Sequence, residues 1–201
     1  MTPFAALAGG GLAGFAGGLL AHVITIFAVR HGSESWLRGP YGPPFFNVAL
    51  YTGIFYGVIG LAAGRKPLTG TTGFLGAFFA ILSPLFVLTR YGGWGMAAGE
   101  AITPAWQAAV VIVYACAIWG AIAAIGFSVR SWRGGAAAVL GSLAGYAVLK
   151  IFLAAFSSWA KTPWDPTSYI PSPVNLLDGL LSGAGLCLGL SLEERFSRRP
   201  S

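Results

Sequence analysis

Residues 157–189 read SSWAKTPWDPTSYIPSPVNLLDGLLSGAGLCLG, a loop rich in tryptophan and proline followed by an apolar run with many glycines. The apolar run extends over 175–192, which is about the length that one helical crossing of a bilayer requires. Proline has no backbone N–H, and irregular backbone is not tolerated in lipid, so the loop belongs outside the hydrocarbon. The stretch therefore predicts a membrane protein in which a stiff loop leads into a closely packed helix.

The composition of the whole chain supports the same class. Of its 201 residues, 56% are hydrophobic and 9% are charged, whereas roughly a quarter of the residues of a soluble globular domain are charged. The net charge is +6, but the basic residues lie singly or in pairs between apolar runs, which does not indicate nucleic-acid binding. We expect a single all-α integral membrane domain without a nucleic-acid partner.

The apolar runs predict a bundle of six transmembrane helices within one domain, 1–201. The expected spans are 4–29, 46–64, 73–89, 104–129, 134–157 and 175–192. The first span is longer than the core of a signal peptide and has no basic region before it, so we expect it to be retained. Its glycines Gly10, Gly14 and Gly18 follow the GxxxG spacing, which lets another helix backbone pack closely against one face.

The basic residues predict how the bundle is oriented, because they concentrate in short cytoplasmic loops. With six spans, one side of the membrane holds seven of them: Arg65, Lys66, Arg130, Arg133, Arg195, Arg198 and Arg199. The other side holds four: Arg30, Arg38, Arg90 and Lys161. We therefore expect both termini to be cytoplasmic, in a bacterial inner membrane, and the loops rich in tryptophan and proline to face outward.

An abridged version of the opening stretch occurs earlier, where residues 34–60 read ESWLRGPYGPPFFNVALYTGIFYGVIG. A shift of 128 residues aligns five pairs: Gly17 with Gly145, His22 with Lys150, Pro43 with Pro171, Asn47 with Asn175, and Gly57 with Gly185. Because an even number of spans separates the two copies, the pattern favours a parallel internal repeat.

Polar residues within the predicted spans mark a candidate site. Lys150 and His22 each lie seven residues from the outer end of their span, on the order of 10 Å deep at about 1.5 Å per residue. Asp178 lies roughly 5 Å below the same surface, within reach of a lysine side chain. Because a charge at membrane depth costs at least ~2.5 kcal/mol, we expect Lys150 to face the bundle interior and to pair with Asp178. For His22, the structural alternative is a neutral imidazole bonded to a carbonyl of a neighbouring helix.

The sixth span adds further candidates on one helix face. Asn175, Asp178 and Ser182 are spaced so that they share this face. A structural alternative makes Asn175 the N-cap of the helix and Asp178 its capping partner, and Asn47 is likewise expected to be an N-cap. Trp159 and Trp164 of the outer loop are candidate solute contacts, although interfacial tryptophans commonly anchor helices at the headgroups.

These features predict a membrane-embedded component that binds or transports a small anionic or zwitterionic solute at a site open to the extracytoplasmic side. The size, cytoplasmic termini and outward loops resemble the substrate-binding membrane subunits of energy-coupling-factor vitamin transporters. This resemblance is one of architecture and carries over no residue. The alternative is a non-catalytic structural or accessory subunit of a larger respiratory, photosynthetic or secretory complex, with other membrane subunits as partners.

The sequence offers little support for catalysis. The Leu-Ser182-Gly183 step resembles that of intramembrane serine proteases, but neither His22 nor His31 lies in a recognisable partner motif. Ligation of a pigment by His22 alone lacks a second histidine at membrane depth. The two cysteines, Cys116 and Cys187, fall inside apolar runs, where cysteine is usually a small packing residue. We therefore expect neither an enzyme nor a bound cofactor or metal.

Overall fold

The computed structural model describes residues 2–31, 42–97, 104–156 and 172–197, and these ranges contain helices but no strand. The described ranges form five helices in chain order: α1 (Pro3–His31), α2 (Gly42–Gly64), α3 (Pro67–Ala97), α4 (Pro104–Ala155) and α5 (Pro173–Ser197). Three stretches of the described chain are long and apolar enough to cross a membrane: Pro3–Ala28, Ile118–Ala155 and Pro173–Ser197. The predicted class, an all-helical chain compatible with a membrane, is confirmed.

Helix α4 is interrupted at Arg130 and Ser131, where the backbone is not helical. Ser131 has a φ of 71°, in the left-handed region, so the two arms, which we call α4a (104–129) and α4b (132–155), separate at this point. The arms fold back on each other, and a Cβ added at Gly126 would overlap the carbonyl oxygen of Gly134. The apolar stretch 118–155 is therefore two antiparallel pieces, and the break falls directly after the predicted end of the fourth span.

The beginnings of α2 and α5 correct two predicted N-caps. Helix α2 already includes Pro43 and Pro44 in its first turn, where backbone N–H groups make no hydrogen bond within the helix and proline is therefore tolerated. Asn47 consequently lies inside the helix. In α5, the backbone carbonyl of Ser172 accepts the first helical hydrogen bond. Asn175 is consequently also inside its helix, and neither asparagine is an N-cap, because the helices extend further toward their N-termini than the apolar runs do.

Helices that follow each other in the chain pack side by side, and α5 closes the arrangement by packing between α1 and α4. On one face of α5, Gly179 and Gly183 lie against Gly14 and Gly10 of α1 so closely that a Cβ at any of the four would overlap a backbone carbonyl. The close approach predicted from the GxxxG spacing of the first span is therefore confirmed at Gly10 and Gly14.

The opposite face of α5 makes an equally close contact with α4b. Gly185 meets Gly141, and Leu181 meets Gly145 through its carbonyl oxygen. Positions two apart, such as Gly183 and Gly185, point to nearly opposite sides of a helix that turns about 100° per residue. Helix α5 is thus held between two backbones, which leaves the side of α5 between these contacts to face the bundle interior.

The interior and the outer surface are both apolar. The buried core cluster includes large side chains of α2, α4a and α5: Phe55, Tyr56, Ile59, Ile122, Ile125 and Leu186. Large apolar side chains of α1 point away from it, with Phe4 80% and Leu12 70% exposed. Exposed apolar side chains along a long helix are what a lipid-facing surface requires.

The pairs aligned by the proposed internal repeat lie in different environments. His22 is buried, whereas Lys150 is exposed. Gly57 packs against α3, whereas Gly185 packs against α4b. The sequence alignment does not extend to the packing at these positions, and the repeat stays a prediction from sequence.

Candidate functional site

The interior side of α5 carries a carboxylate and a hydroxyl in contact. The Oγ of Ser182 donates a hydrogen bond of 3.0 Å to Oδ1 of Asp178. Ser182 is buried and Asp178 is half-buried, and one turn further along the same face Leu186 is fully buried in the core cluster. The polar face predicted from the sequence is therefore directed into the bundle, with the half-buried Asn175 one turn before Asp178.

The contact leaves the carboxylate with unused acceptor capacity. An ionised carboxylate offers about four acceptor positions, and the Ser182 hydroxyl occupies one of them. Helix α5 begins at Pro173, so Asp178 lies in its second turn, beyond the first turn over which the helix dipole mainly acts. With acceptor positions unused, Asp178 is able to accept a further donor, such as the ammonium group of a solute.

The position of Lys150 differs from the expectation. Its side chain is exposed, and its Nζ lies 5.0 Å from the ring centroid of Tyr146, a cation–π distance. Among the described residues no ion pair joins Lys150 to Asp178, although the lysine charge still acts on the carboxylate across space. The long lysine side chain can reach water along the outside of α4b, which satisfies the charge without an interior partner.

The levels of Lys150 and Asp178 along the bundle can be compared through a contact between their helices. Gly145 of α4b is level with Leu181 of α5. Counting at about 1.5 Å per residue, Lys150 lies roughly 7.5 Å above that level and Asp178 roughly 4.5 Å above it. The two residues are thus at similar depth but on different sides of α4b.

His22 lies on the interior side of α1. A Cβ at Gly18, one turn before His22, would lie 3.7 Å from the hydroxyl of Tyr51 in α2 and 3.5 Å from Leu176 in α5. The same face of α1 therefore lies between α2 and α5, and His22 is 5% exposed. The neighbouring Thr25 is equally buried, and its Oγ1 has no hydrogen-bond partner within the described residues.

We call the end of the bundle where α5 begins the upper end, and the end where α5 terminates the lower end. Four of the predicted site residues share the interior side of the upper half: His22, Asn175, Asp178 and Ser182. Lys150 lies at similar depth on the outside, and Trp159 and Trp164 lie outside the described residues.

A second polar cluster, at the lower end, was not predicted. Arg130, at the break in α4, donates from Nη2 to Oε1 of Glu194 at 2.7 Å, and its Nη1 lies 3.7 Å from Oε2 of Glu193. That second oxygen is buried and accepts no hydrogen bond within the described chain, so the longer contact is an ion pair only. In the sequence, the Glu193-Glu194 pair at the end of an apolar run could have indicated this cluster. The prediction of orientation counts basic residues only, so it did not use this pair.

A cavity of 280 Å³ lies beside this cluster. Residues of α2, of the α2–α3 turn, of the α4 break and of α5 line it: Ala63, Gly64, Arg65, Val129, Arg130, Cys187, Leu190, Ser191 and Glu194. Its walls therefore combine two guanidinium groups, a carboxylate and a hydroxyl with an apolar surface.

The described part of the chain thus has one polar cluster near each end of α5. Comparison with protein-family models, with curated proteins and with solved structures finds no match for this chain. What the protein can bind follows from the chemistry of these two clusters.

Proposed function

We propose that this protein is a membrane-embedded component that binds or transports a small anionic or zwitterionic solute at a site open to the extracytoplasmic side. The observation that supports this is the Asp178–Ser182 pair, which directs a carboxylate and a hydroxyl into the interior of an otherwise apolar bundle. Polar groups at membrane depth are costly and usually functional. A zwitterion matches the surroundings best, because its ammonium group can bind Asp178 while its carboxylate is attracted by the start of α5.

The topology that goes with this function has six spans, with α4a and α4b counted separately, and both termini in the cytoplasm of a bacterial cell. Its support is that the cavity at the lower end brings Arg65 and Arg130 together with the end of α5. Basic residues that are far apart in the sequence thus gather at one end, as the positive-inside rule requires of a cytoplasmic side.

Cysteine labelling tests the topology. In a variant in which Cys116 and Cys187 are replaced by alanine, a Thr167→Cys substitution should react with a membrane-impermeant maleimide added to intact cells. A Ser197→Cys substitution should react only after the membrane is opened, because the lower end is cytoplasmic in this proposal. The reverse pattern would show that the charge argument is wrong.

Native mass spectrometry of the gently extracted protein tests the solute site. We expect the wild-type protein to retain a small-molecule adduct and the Ser182→Ala and Asp178→Asn variants to lose it. Losing one hydrogen bond to a charged group weakens binding by about tenfold or more. Ser197→Ala is the matched control, because this serine is exposed near the other end of the same helix. A wild-type protein without an adduct, or Ser182→Ala with a full one, would refute the site.

A groove on the outside of the bundle supports the alternative, an accessory subunit of a membrane complex. The groove has a volume of 510 Å³ and runs between α1, α4b and α5. Gly141, Gly145 and Gly185 are among its lining residues, with Leu140 and Val148 exposed beside them. These glycines are already packed in the contact of α4b with α5, so a transmembrane helix of a partner chain would pack on the exposed apolar side chains of the groove. Retention of a partner polypeptide instead of a solute in the same mass spectrum would favour this function.

A further inference from the structure

We infer that the groove on the outside of the bundle, between α1, α4b and α5, is a binding site for an anionic phospholipid. One acyl chain lies along the groove, and the phosphate binds Arg133 and Arg195 at its lower end. The groove is on the outer surface, whereas Ser182 is directed into the interior, so the inference does not depend on the proposed solute site.

The groove is a concave apolar surface of 510 Å³. Except for Glu193, every residue that lines it is Leu, Val, Ala or Gly. Ala184 and Gly185 in its lining are buried, whereas Leu140 and Val148 are exposed, so the groove opens toward the outside of the bundle. Water in such a groove would find too few polar partners, and in a bilayer hydrocarbon fills it instead.

The length of the groove matches one leaflet of a bilayer. On α4b its lining residues extend from Ala137 to Val148, and on α5 from Leu181 to Leu192. Each stretch rises about 16 Å at about 1.5 Å per residue. Half of a hydrocarbon core roughly 30 Å thick is about 15 Å, whereas a transmembrane helix of a partner chain needs the full thickness. The length therefore favours a single acyl chain over a partner helix.

Two arginines continue the groove at its lower end. Arg133 precedes Ala137 by four residues and Arg195 follows Leu192 by three, spacings that keep each arginine on the groove side of its helix. Gly189 of α5 packs against Ala137 of α4b. Counted from this contact, Arg133 lies about 6 Å and Arg195 about 9 Å further toward the lower end. The two arginines thus flank the end of the groove at nearly one level.

The surroundings of these arginines suit a phosphate at the surface of a membrane. Both side chains are exposed. The guanidinium of Arg133 lies 5.7 Å from the ring centroid of Trp132, and a cation–π contact uses none of its N–H donors. A planar guanidinium can therefore still bind two phosphate oxygens. Trp132 is 69% exposed, as tryptophans at the headgroup level of a bilayer are.

The net charge at the lower end selects an anionic headgroup. Its described residues include two carboxylates, Glu193 and Glu194, which both pair with Arg130. The basic side chains there are five: Arg65, Lys66, Arg130, Arg133 and Arg195. Anionic headgroups bind at basic surfaces between membrane helices. A headgroup that carries its own quaternary ammonium would add positive charge where positive charge is already in excess.

The test is native mass spectrometry of the full-length protein in detergent, titrated with dioleoylphosphatidylglycerol. We expect a saturable adduct of one lipid. Dioleoylglycerol, which lacks the phosphate, and dioleoylphosphatidylcholine, which adds a positive charge, should bind at least about tenfold more weakly. Glycerol 3-phosphate, which lacks acyl chains, should not displace the lipid, because the groove binds the chain.

Variants separate the groove from a general attraction of charge. Arg133→Gln and Arg195→Gln should each weaken binding by about fivefold, the effect of losing one exposed charged contact. Lys66→Gln is the matched control, because it removes the same charge from an exposed position at the same end that does not line the groove. Ala144→Phe should abolish binding by filling the groove, whereas Ala147→Phe, exposed on the same helix outside the groove, should not.

Four outcomes would overturn the inference. They are equal binding of phosphatidylglycerol and dioleoylglycerol, a loss in Lys66→Gln as large as in Arg133→Gln, unchanged binding by Ala144→Phe, and a co-purified polypeptide that Ala144→Phe removes. The last outcome would show that a partner helix occupies the groove. Ser182→Ala should bind the lipid as the wild type does, so a failure of the solute site and a failure of the lipid site are distinguishable.

Discussion

Replacement of Gly14 by leucine is expected to separate α1 from α5 and to give the largest loss of stability of any single change considered. A Cβ at Gly14 would overlap the carbonyl oxygen of Gly179, and a backbone atom cannot move aside as the end of a side chain can. Overpacking typically costs 1–3 kcal/mol, and we expect about 3 kcal/mol or more here because the contact is between two backbones. Thermal unfolding in detergent measures the loss.

Gly9→Leu is the control for this experiment. Gly9 is in the same helix, is exposed and has no atom within 4 Å of an added Cβ. Its variant should unfold at the wild-type temperature. Equal unfolding temperatures for both variants would mean that the glycine face of α1 does not pack against α5.

Replacement of Arg130 by glutamine is the second large effect that we expect. The variant leaves Glu193 and Glu194 adjacent without their common cation, and the break in α4 loses its tie to α5. Removing one partner of a fully buried ion pair costs roughly 3–5 kcal/mol. Because the Arg130 side chain is 28% exposed, we reduce this to about 2 kcal/mol to allow for solvent screening.

Chemical denaturation of the Arg130→Gln variant measures this loss, with Arg133→Gln as the control because Arg133 is exposed and its guanidinium lies over the ring of Trp132. Adding Glu194→Gln to Arg130→Gln should restore part of the stability, since the two residues interact directly. If the double variant loses as much stability as the Arg130→Gln and Glu194→Gln variants lose together, the 2.7 Å contact between these side chains does not stabilise the fold.

Much of the architecture could be predicted from the sequence, because the features that decide it are local. The apolar runs predicted the helices, and the predicted end of the fourth span at residue 129 lies directly before the interruption that the structure has at Arg130 and Ser131. The spacing of Gly10 and Gly14 predicted a close helix contact, because glycine has no side chain to separate two backbones. The two N-caps were wrong because prolines can occupy the first turn of a helix ahead of an apolar run.

The arrangement of the candidate sites could not be predicted from local features of the sequence, because it depends on how the helices are rotated and which of them meet. The depth of Lys150 follows from its position along a helix, and the structure places it at a similar level to Asp178. Its direction depends on the rotation of α4b, which is set by the contact of Gly141 and Gly145 with α5, and this contact turns Lys150 to the outside. The cluster of Arg130 with Glu193 and Glu194 was missed because its members are more than 60 residues apart in the chain.

The sequence by itself determined that this chain is helical, that its helices are apolar enough for a membrane and that their glycine faces can pack closely. It did so because helix length, hydrophobicity and residue size are properties of each segment alone. Which faces meet was decided only by the tertiary structure, because α1, α4b and α5 adopt rotations in which glycines of each contact a neighbouring backbone. That rotation directs Asp178 and Ser182 to the interior and Lys150 to the outside, and it assembles the polar cavity at the lower end.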